Sequence, residues 1–461
     1  MSQSKTNVVI VGAGIYGMST ALWMLKSGKY NVTILDKCGI LPAPDAASTD
    51  LNKIIRSADY ADASLAALGL EAIDDHWRKP EWENTYHESG VMCLSGAGEK
   101  AGQEFVSKAY SNCKNLGINV TLINGSTDIK NIIKKKVAQG VPLGEFGGRE
   151  GYFNPIGGWA ESGRALEVGL KKVRQLGGTV RSGAEVQSLL RNGRKVIGVE
   201  IKGGEQVKGD LVIVAAGAWT PALCAQPGFS VRLPDVVATG QSVGVIQLTP
   251  EEHKKYADIP VVFNLDNGWY NFPPNAEGLM KLAIHGAGVL CPGENGVSVP
   301  RTKLTPGGES GAIPLDSLRG LREGLREVYP ELAKKDFLTT RLCWYCDTIT
   351  GDWLIDYHPD YDNLVIASGD SGHAFKFTPV IGREILKVVE KNPSPEYSEK
   401  WSFNYVENLL KRESKKQISD VDVENPELAK GGADVRAGQR KVLDVNDLVK
   451  PQDLLAKQAR L

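Results

Sequence analysis

The pattern at residues 7–36 limits this chain more than any other: strand, glycine turn, helix, strand, then an acid. Residues 7–11 (NVVIV) carry an unbroken β-branched run, as in a strand buried on both faces of a parallel sheet. Gly12-Ala13-Gly14-Ile15-Tyr16-Gly17 follows. Met18, Ala21, Leu22 and Leu25 then recur at helical spacing up to a stop at Gly28. Residues 31–36 (NVTILD) are a second strand closed by Asp36, with Lys37 next. A β-α-β unit with GxGxxG at its first turn binds a dinucleotide. Gly12 permits the tight turn. Gly14 lets backbone N–H groups approach a pyrophosphate at the helix N-terminus, and Gly17 lets helix and strand pack closely. Asp36 is placed to accept hydrogen bonds from a ribose.

The rest of this fold is discontinuous in sequence. Residues 210–220 (DLVIVAAGAWT) and 363–370 (NLVIASGD) are further buried strands, and TPVIGREILKVVE at 378–390 is a helix. Residues 60–150 are mixed and mostly helical, and 240–330 show short alternating strand patterns. The expected architecture is α/β. A Rossmann-type nucleotide domain in three pieces (1–60, 150–240, 330–400) is interleaved with a strand-rich α+β substrate domain (61–149, 241–329). No aromatic residue follows Tyr405, so 401–461 is expected as an extended or surface-wrapping tail.

Composition removes several classes. A net charge of −1 argues against nucleic acid, and Lys134-Lys135-Lys136 reads as a solvated helix face. No apolar run reaches the roughly 18 residues of a membrane span. Seven cysteines form no disulfide framework, and no pair of CxxC motifs or Cys/His cluster suggests zinc, so no metal is expected. The first residues, MSQSK, lack a secretory leader pattern, which points to an intracellular, reducing compartment.

Three separated segments resemble one family in its order: VVIVGAGIYGMSTALWML at 8–25, GAWT at 217–220 and GDSGHAFKF at 369–377. They are similar to the D-amino-acid-oxidase superfamily of flavoproteins. The narrower likeness is to the branch of monomeric sarcosine oxidase, pipecolate and saccharopine oxidases, and fungal fructosyl amino acid oxidases (amadoriases). The resemblance spans about residues 6–395 and implies FAD. It extends the cofactor contacts from Gly12, Gly14, Ile15, Tyr16, Gly17, Asp36 and Lys37 to Asn52, Lys53, Gly217, Trp219, Asp370, Gly372, His373, Ala374, Phe375 and Lys376. In CWYCDTITGDWLIDYHP it makes Cys343 the residue joined to the flavin by a thioether, with Cys346 the neighbouring competitor. The turn after the 363–370 strand is expected to lead into a helix whose N-terminus faces the flavin.

The resemblance also implies the catalytic set. LNKIIR at 51–56 supplies Lys53 and Arg56, and Arg56 with Lys376 would hold a substrate carboxylate. Tyr270, Lys281 and His285 match the family's active-site tyrosine, lysine and histidine, spaced by 11 and then 4 residues. The lysine would favour reduction of O₂. GYFNPIGGWAESGRAL at 151–166 also resembles a family segment, but Tyr152 and Asn154 receive no chemistry. The implied reaction is oxidation of a secondary amine on an amino acid, by hydride transfer to flavin N5 and O₂ reduction to H₂O₂. Sarcosine, pipecolate or saccharopine fit better than a sugar adduct, because Cys-Trp-Tyr-Cys and GLMKLAIHGAG depart from the amadoriase pattern. Fructosyl amino acid oxidase and biosynthetic amine oxidase are the alternatives. A flavin dehydrogenase, an NAD-binding reductase and a non-catalytic flavin protein are the other classes. The chain is expected as a monomer. Ala459-Arg460-Leu461 resembles a peroxisomal address read by an import receptor, with the cytoplasm as the alternative.

Overall fold

A computed structural model describes residues 4–96, 98–137, 140–234, 236–308, 311–412 and 440–456. Thr6–Val11 (β1), Ile15–Ser27 (α1) and Tyr30–Leu35 (β2) form the expected unit. Gly28 caps α1 at φ 74°, in the left-handed region where glycine avoids the Cβ penalty. β1 lies between β2 and Leu211–Val214, parallel to both. The full sheet runs Leu354–Tyr357, Leu364–Ser368, Leu211–Val214, β1, β2, Thr179–Arg181. Only the Leu354–Tyr357 edge is antiparallel. The chain leaves β1 on one side and returns on the other, which opens a crevice at the strands' C-terminal ends.

A second, ten-stranded sheet is mainly antiparallel and carries the other half of the chemistry. Its long strands Val237–Gln247 and Phe337–Asp347 pair along most of their length. Leu279–Ile284, Trp269–Asn271, Val261–Asn264, Val91–Ser95, Glu150–Asn154 and Thr121–Asn124 continue it. Two segments thus cross the expected boundaries: Glu150–Asn154 and Phe337–Asp347 pair within this sheet, not with the nucleotide strands. A three-stranded antiparallel sheet of Lys53–Ile55, Gly158–Ala160 and Tyr86–His87 carries Lys53.

Two expectations need correction. No helix follows directly from the turn at residues 369–373. A single turn, Phe375–Phe377, comes first, and the helix spans Ile381–Val389 after Pro379, which has no N–H to continue it. Its start packs on α1, where a Cβ at Gly382 would meet Ser19 O at 2.1 Å. The tail also begins later than expected. Trp401 and Phe403 are buried, and Phe403–Arg412 is a helix. Further on, Lys441–Val442 pairs with Val289–Leu290. The tripeptide 459–461 lies outside the described residues. Among those described, no helix is long and apolar enough to cross a membrane, and no cluster of His, Cys, Asp and Glu could hold a metal ion.

Candidate active site

A cavity of about 500 Å³ sits at the C-terminal ends of β1, β2 and Leu211–Val214. Its walls include Gly12, Gly14, Ile15 and Tyr16 from the first turn, and Asp36 and Lys37 from the end of β2. Gly217 and Trp219 close one side; Asp370, Gly372, Ala374 and Phe375 close another. The glycines divide by role. A Cβ at Gly17 would lie 2.0 Å from Gly12 O, so Gly17 serves packing and lines nothing. At Gly14 the nearest atom to a Cβ would be Ser48 Oγ at 3.7 Å, which leaves its backbone open to the cavity. Asp36 accepts hydrogen bonds from the N–H groups of Ala13 and Cys38, both at 2.9 Å, and so ties the glycine turn to β2. Burial raises its pKa against those two bonds. Lys37 Nζ lies 4.2 Å from the centre of the Trp219 ring.

These residues fit a flavin dinucleotide. The crevice, the open backbone at Gly14 and the acid ending β2 match what a dinucleotide demands. Asn52 adds a second sign: it is fully buried, and neither its Oδ1 nor its Nδ2 has a hydrogen-bond partner among the described residues. A buried amide left unpaired is costly unless a ligand or water meets it.

A smaller pocket of about 50 Å³ adjoins the first and shares Lys53, Tyr345, Gly372 and Phe375 with it. Arg56, Tyr270, His285 and Lys376 line it beside Phe263 and Phe272. Five of the six expected catalytic side chains therefore meet here, from parts of the chain more than 300 residues apart. No Asp or Glu is among its described lining residues. Sheet register explains part of the assembly. Tyr270 pairs with Ala283, and Lys281, Ala283 and His285 alternate onto the same face. His285 Nδ1 is 3.3 Å from Tyr345 OH.

Lys281 is the sixth, and it lines neither cavity. Its ammonium is buried and donates to Asp50 Oδ2 at 2.7 Å and Asn52 O at 2.5 Å. Burial pushes its pKa down to about 8, against the pull of Asp50. Burial alone would raise Asp50, but Lys281, Lys53 and Arg341 hold it well below the carboxylate range. Lys53 reaches the same carboxylate at 3.1 Å and donates to Cys343 Sγ at 3.3 Å. Lys53 thus joins the acid, the thiol and both cavities. Cys346 points the other way along the strand: Ser368 Oγ donates to its sulfur at 3.3 Å, and burial with Asp370 pushes its thiol up to about 12.

Around the 369–377 turn, Asp370 accepts from Gly372 N at 3.0 Å and Cys346 N at 3.2 Å. Gly372 has φ 75°, and a Cβ there would meet the Tyr345 ring at 2.2 Å, so only glycine lets the turn pass. His373 corrects its expectation. Its ring turns from the cavity to stack on Trp353 at 5.4 Å, and its Nε2 lies 2.8 Å from Gly351 O. Sequence reasoning missed Asp50 and Tyr345. Both had a signal: Asp50 stands three residues before Lys53, and Tyr345 shares a strand face with Cys343.

Fold and site together define an oxidoreductase that works with a bound dinucleotide. A family model described as FAD dependent oxidoreductase matches residues 7–387, and the chain belongs to that family of flavoenzymes. It is 31% identical over 417 residues to L-saccharopine oxidase of Schizosaccharomyces pombe, covering 86% of this chain and 92% of that protein. It is 26% identical over 402 residues to peroxisomal sarcosine oxidase of Mus musculus, covering 85% of this chain and 93% of that protein. Among solved structures, the deglycating fructosamine oxidase (Amadoriase II) of Aspergillus fumigatus superposes with a TM-score of 0.77 at 25% identity, over 97% of each chain.

Proposed function

We propose that this flavoenzyme oxidises a secondary amine carried by an amino acid, with O₂ as electron acceptor. The observation that carries this reading is the cationic wall of the small pocket, where Arg56 and Lys376 join Lys53, which the larger cavity shares. Arg56 grips the substrate carboxylate through its planar fork, and Lys376 adds a point charge. Phe263, Phe272 and Phe375 exclude water from the substrate carbon. Cations nearby hold the substrate amine neutral, the form that gives up hydride, so no strong base is needed. His285 and Tyr270 orient that amine. Bound FAD supplies the two-electron acceptor. Lys281, held by the same Asp50 carboxylate that Lys53 reaches, supplies a buried positive charge that favours reduction of O₂. Cys343 would hold the flavin by a thioether, a reading supported by its contact with Lys53, which lines both cavities.

The names of the relatives support an N-alkyl or N-carboxyalkyl amino acid as substrate. The amadoriase likeness keeps a fructosyl amino acid as the second reading. A monomer delivered to the peroxisome by its C-terminal tripeptide completes the proposal, and Leu461→Asp should leave a tagged protein in the cytosol. The deciding experiment pairs an absorbance spectrum before and after acid precipitation with peroxide detection. The panel is sarcosine, pipecolate, saccharopine and fructosyl amino acids. Yellow colour kept in the pellet, lost in Cys343→Ala, together with peroxide from one panel member is the expected result. Flavin reduced by substrate without peroxide would make the enzyme a dehydrogenase. A protein that takes up no flavin would overturn the reading.

A further inference from the structure

Asp59, Tyr152, Asn154 and Cys113 form a buried polar cluster that adjoins Arg56 and does not line the pocket. Arg56 is only 2% exposed. Its Nη1 donates to the backbone oxygen of Asp59 at 3.3 Å, and its guanidinium lies 4.5 Å from the centre of the Tyr60 ring and 5.6 Å from that of Phe263. The Asp59 side chain is fully buried. Its Oδ1 accepts from Tyr152 OH at 3.0 Å, Asn154 Nδ2 at 2.9 Å and Cys113 Sγ at 3.6 Å. Asn154 Nδ2 also donates to Ser57 Oγ at 2.7 Å.

The local folding explains why these groups meet. Tyr152 and Asn154 are two apart on the strand Glu150–Asn154, so both side chains leave the same face. That face meets residues 57–59, which follow the short strand Lys53–Ile55. Helix Ala63–Glu71 clamps the segment from the other side: a Cβ at Gly69 would stand 2.1 Å from Ser57 O.

We propose that Asp59, braced by Tyr152 and Asn154, is the positioning residue that holds the Arg56 guanidinium ready for a substrate carboxylate. The inference rests on the reading of Arg56 as the carboxylate-binding residue. Tyr152 and Asn154 pin the Asp59 carboxylate, and the pinned residue presents its carbonyl to Arg56. Burial raises the Asp59 pKa, while the Asn154 bond, the Arg56 charge and the Tyr152 bond pull it down. Asp59 thus acts on Arg56 in two opposed ways. As an anion it weakens the attraction of Arg56 for a second carboxylate. As a brace it removes the disorder that a long side chain must lose on binding. The number of bonds spent on the brace places it first.

The test titrates the flavin-loaded enzyme with two probes, following the flavin absorbance: acetate, which has a carboxylate, and dimethylamine, which has none. Asp59→Asn should weaken acetate at least about tenfold, and Tyr152→Phe about three- to tenfold, each leaving dimethylamine within about twofold. With substrate, both should raise KM more than they lower kcat. Acetate bound equally or more tightly by Asp59→Asn overturns the proposal, since the anion's repulsion then dominates. Equal loss of both probes also overturns it, since the cluster is then merely structural. If Asp59→Asn does not fold, Tyr152→Phe decides by the same two criteria. Arg56→Met is run beside them. Unchanged acetate affinity in Arg56→Met would sink the carboxylate reading itself. Loss of acetate in Arg56→Met but not in Asp59→Asn or Tyr152→Phe sinks only the brace.

Discussion

The two adjoining cavities are built by opposite means. The larger is made of backbone: glycines at a turn, helix and strand ends, and an acid that holds the turn. The smaller is made of side chains brought from five separate stretches of chain, and its character is charge and aromatic surface. The backbone cradle fails abruptly where a glycine faces backbone, as at Gly12 and Gly17, because an added methyl group there has nowhere to go. The side-chain pocket fails by degrees, because one contact can be lost while the others stay.

The sharpest way to break this contrast is at Gly17. In Gly17→Val the new Cβ would meet Gly12 O at 2.0 Å, which neither backbone can relieve. Soluble yield and bound flavin should both fall to nearly nothing. Gly14→Ala is the control inside the same turn, since its Cβ meets only Ser48 Oγ at 3.7 Å. It should fold with an unchanged thermal midpoint yet retain less flavin. A Gly17→Val protein that kept one flavin per chain would show that the cradle also tolerates graded damage.

The next largest effect belongs to Lys281, buried against Asp50. Lys281→Met should slow the reaction of reduced enzyme with O₂ by about 10²-fold, the usual result of removing one preorganised donor, with anaerobic reduction by substrate much less affected. Stopped-flow measurement of each half-reaction separates them. Lys53→Met is the sharpening experiment, because Lys53 and Lys281 share Asp50. A larger O₂ effect at Lys53 would transfer the role to the residue that lines both cavities. In the substrate pocket the effect should shrink again. Arg56→Lys keeps the charge and loses the fork, so KM should rise about tenfold with kcat nearly held.

The same contrast explains what could be read from sequence. The cradle's determinants are consecutive, so Gly12, Gly14 and Asp36 declared themselves in one line of text. The small pocket's residues carry no local pattern that joins them. Lys53, Tyr270, His285 and Lys376 came only from resemblance to a family whose spacing was known. What resemblance could not supply was the environment of each group. It did not show that Lys281 is bound to Asp50 and absent from both walls, or that His373 turns away to Trp353. Nor did periodicity show that Phe337–Asp347 leaves the nucleotide half to pair with Val237–Gln247, since a buried strand reads alike in either sheet.

Beside the cradle one side chain breaks its rule, and its predicted effect falls on stability and leaves turnover aside. Asp352 is fully buried, and neither carboxylate oxygen has a hydrogen-bond partner among the described residues. Its neighbour Trp353 packs against Tyr16 at 6.2 Å and Trp401 at 4.8 Å. Burial pushes its pKa up to about 8, with Lys400 pulling down and Asp62 pushing up. In the unfolded chain an aspartate titrates near 3.9, at about the ordinary value. Between those two values the folded protein holds a proton that the unfolded chain has released. The contribution of this group to stability is therefore full below about pH 4 and falls as pH rises toward 8, by at most about 1.4 kcal/mol per pH unit. Asp352→Asn is nearly the same shape and cannot ionise, so it removes the slope. Its thermal midpoint should match wild type near pH 4 and exceed it by several degrees at pH 8. Equal midpoints at both pH values would mean that the carboxylate is ionised and solvated within the fold, and that side-chain charge supports the cradle as it does the pocket.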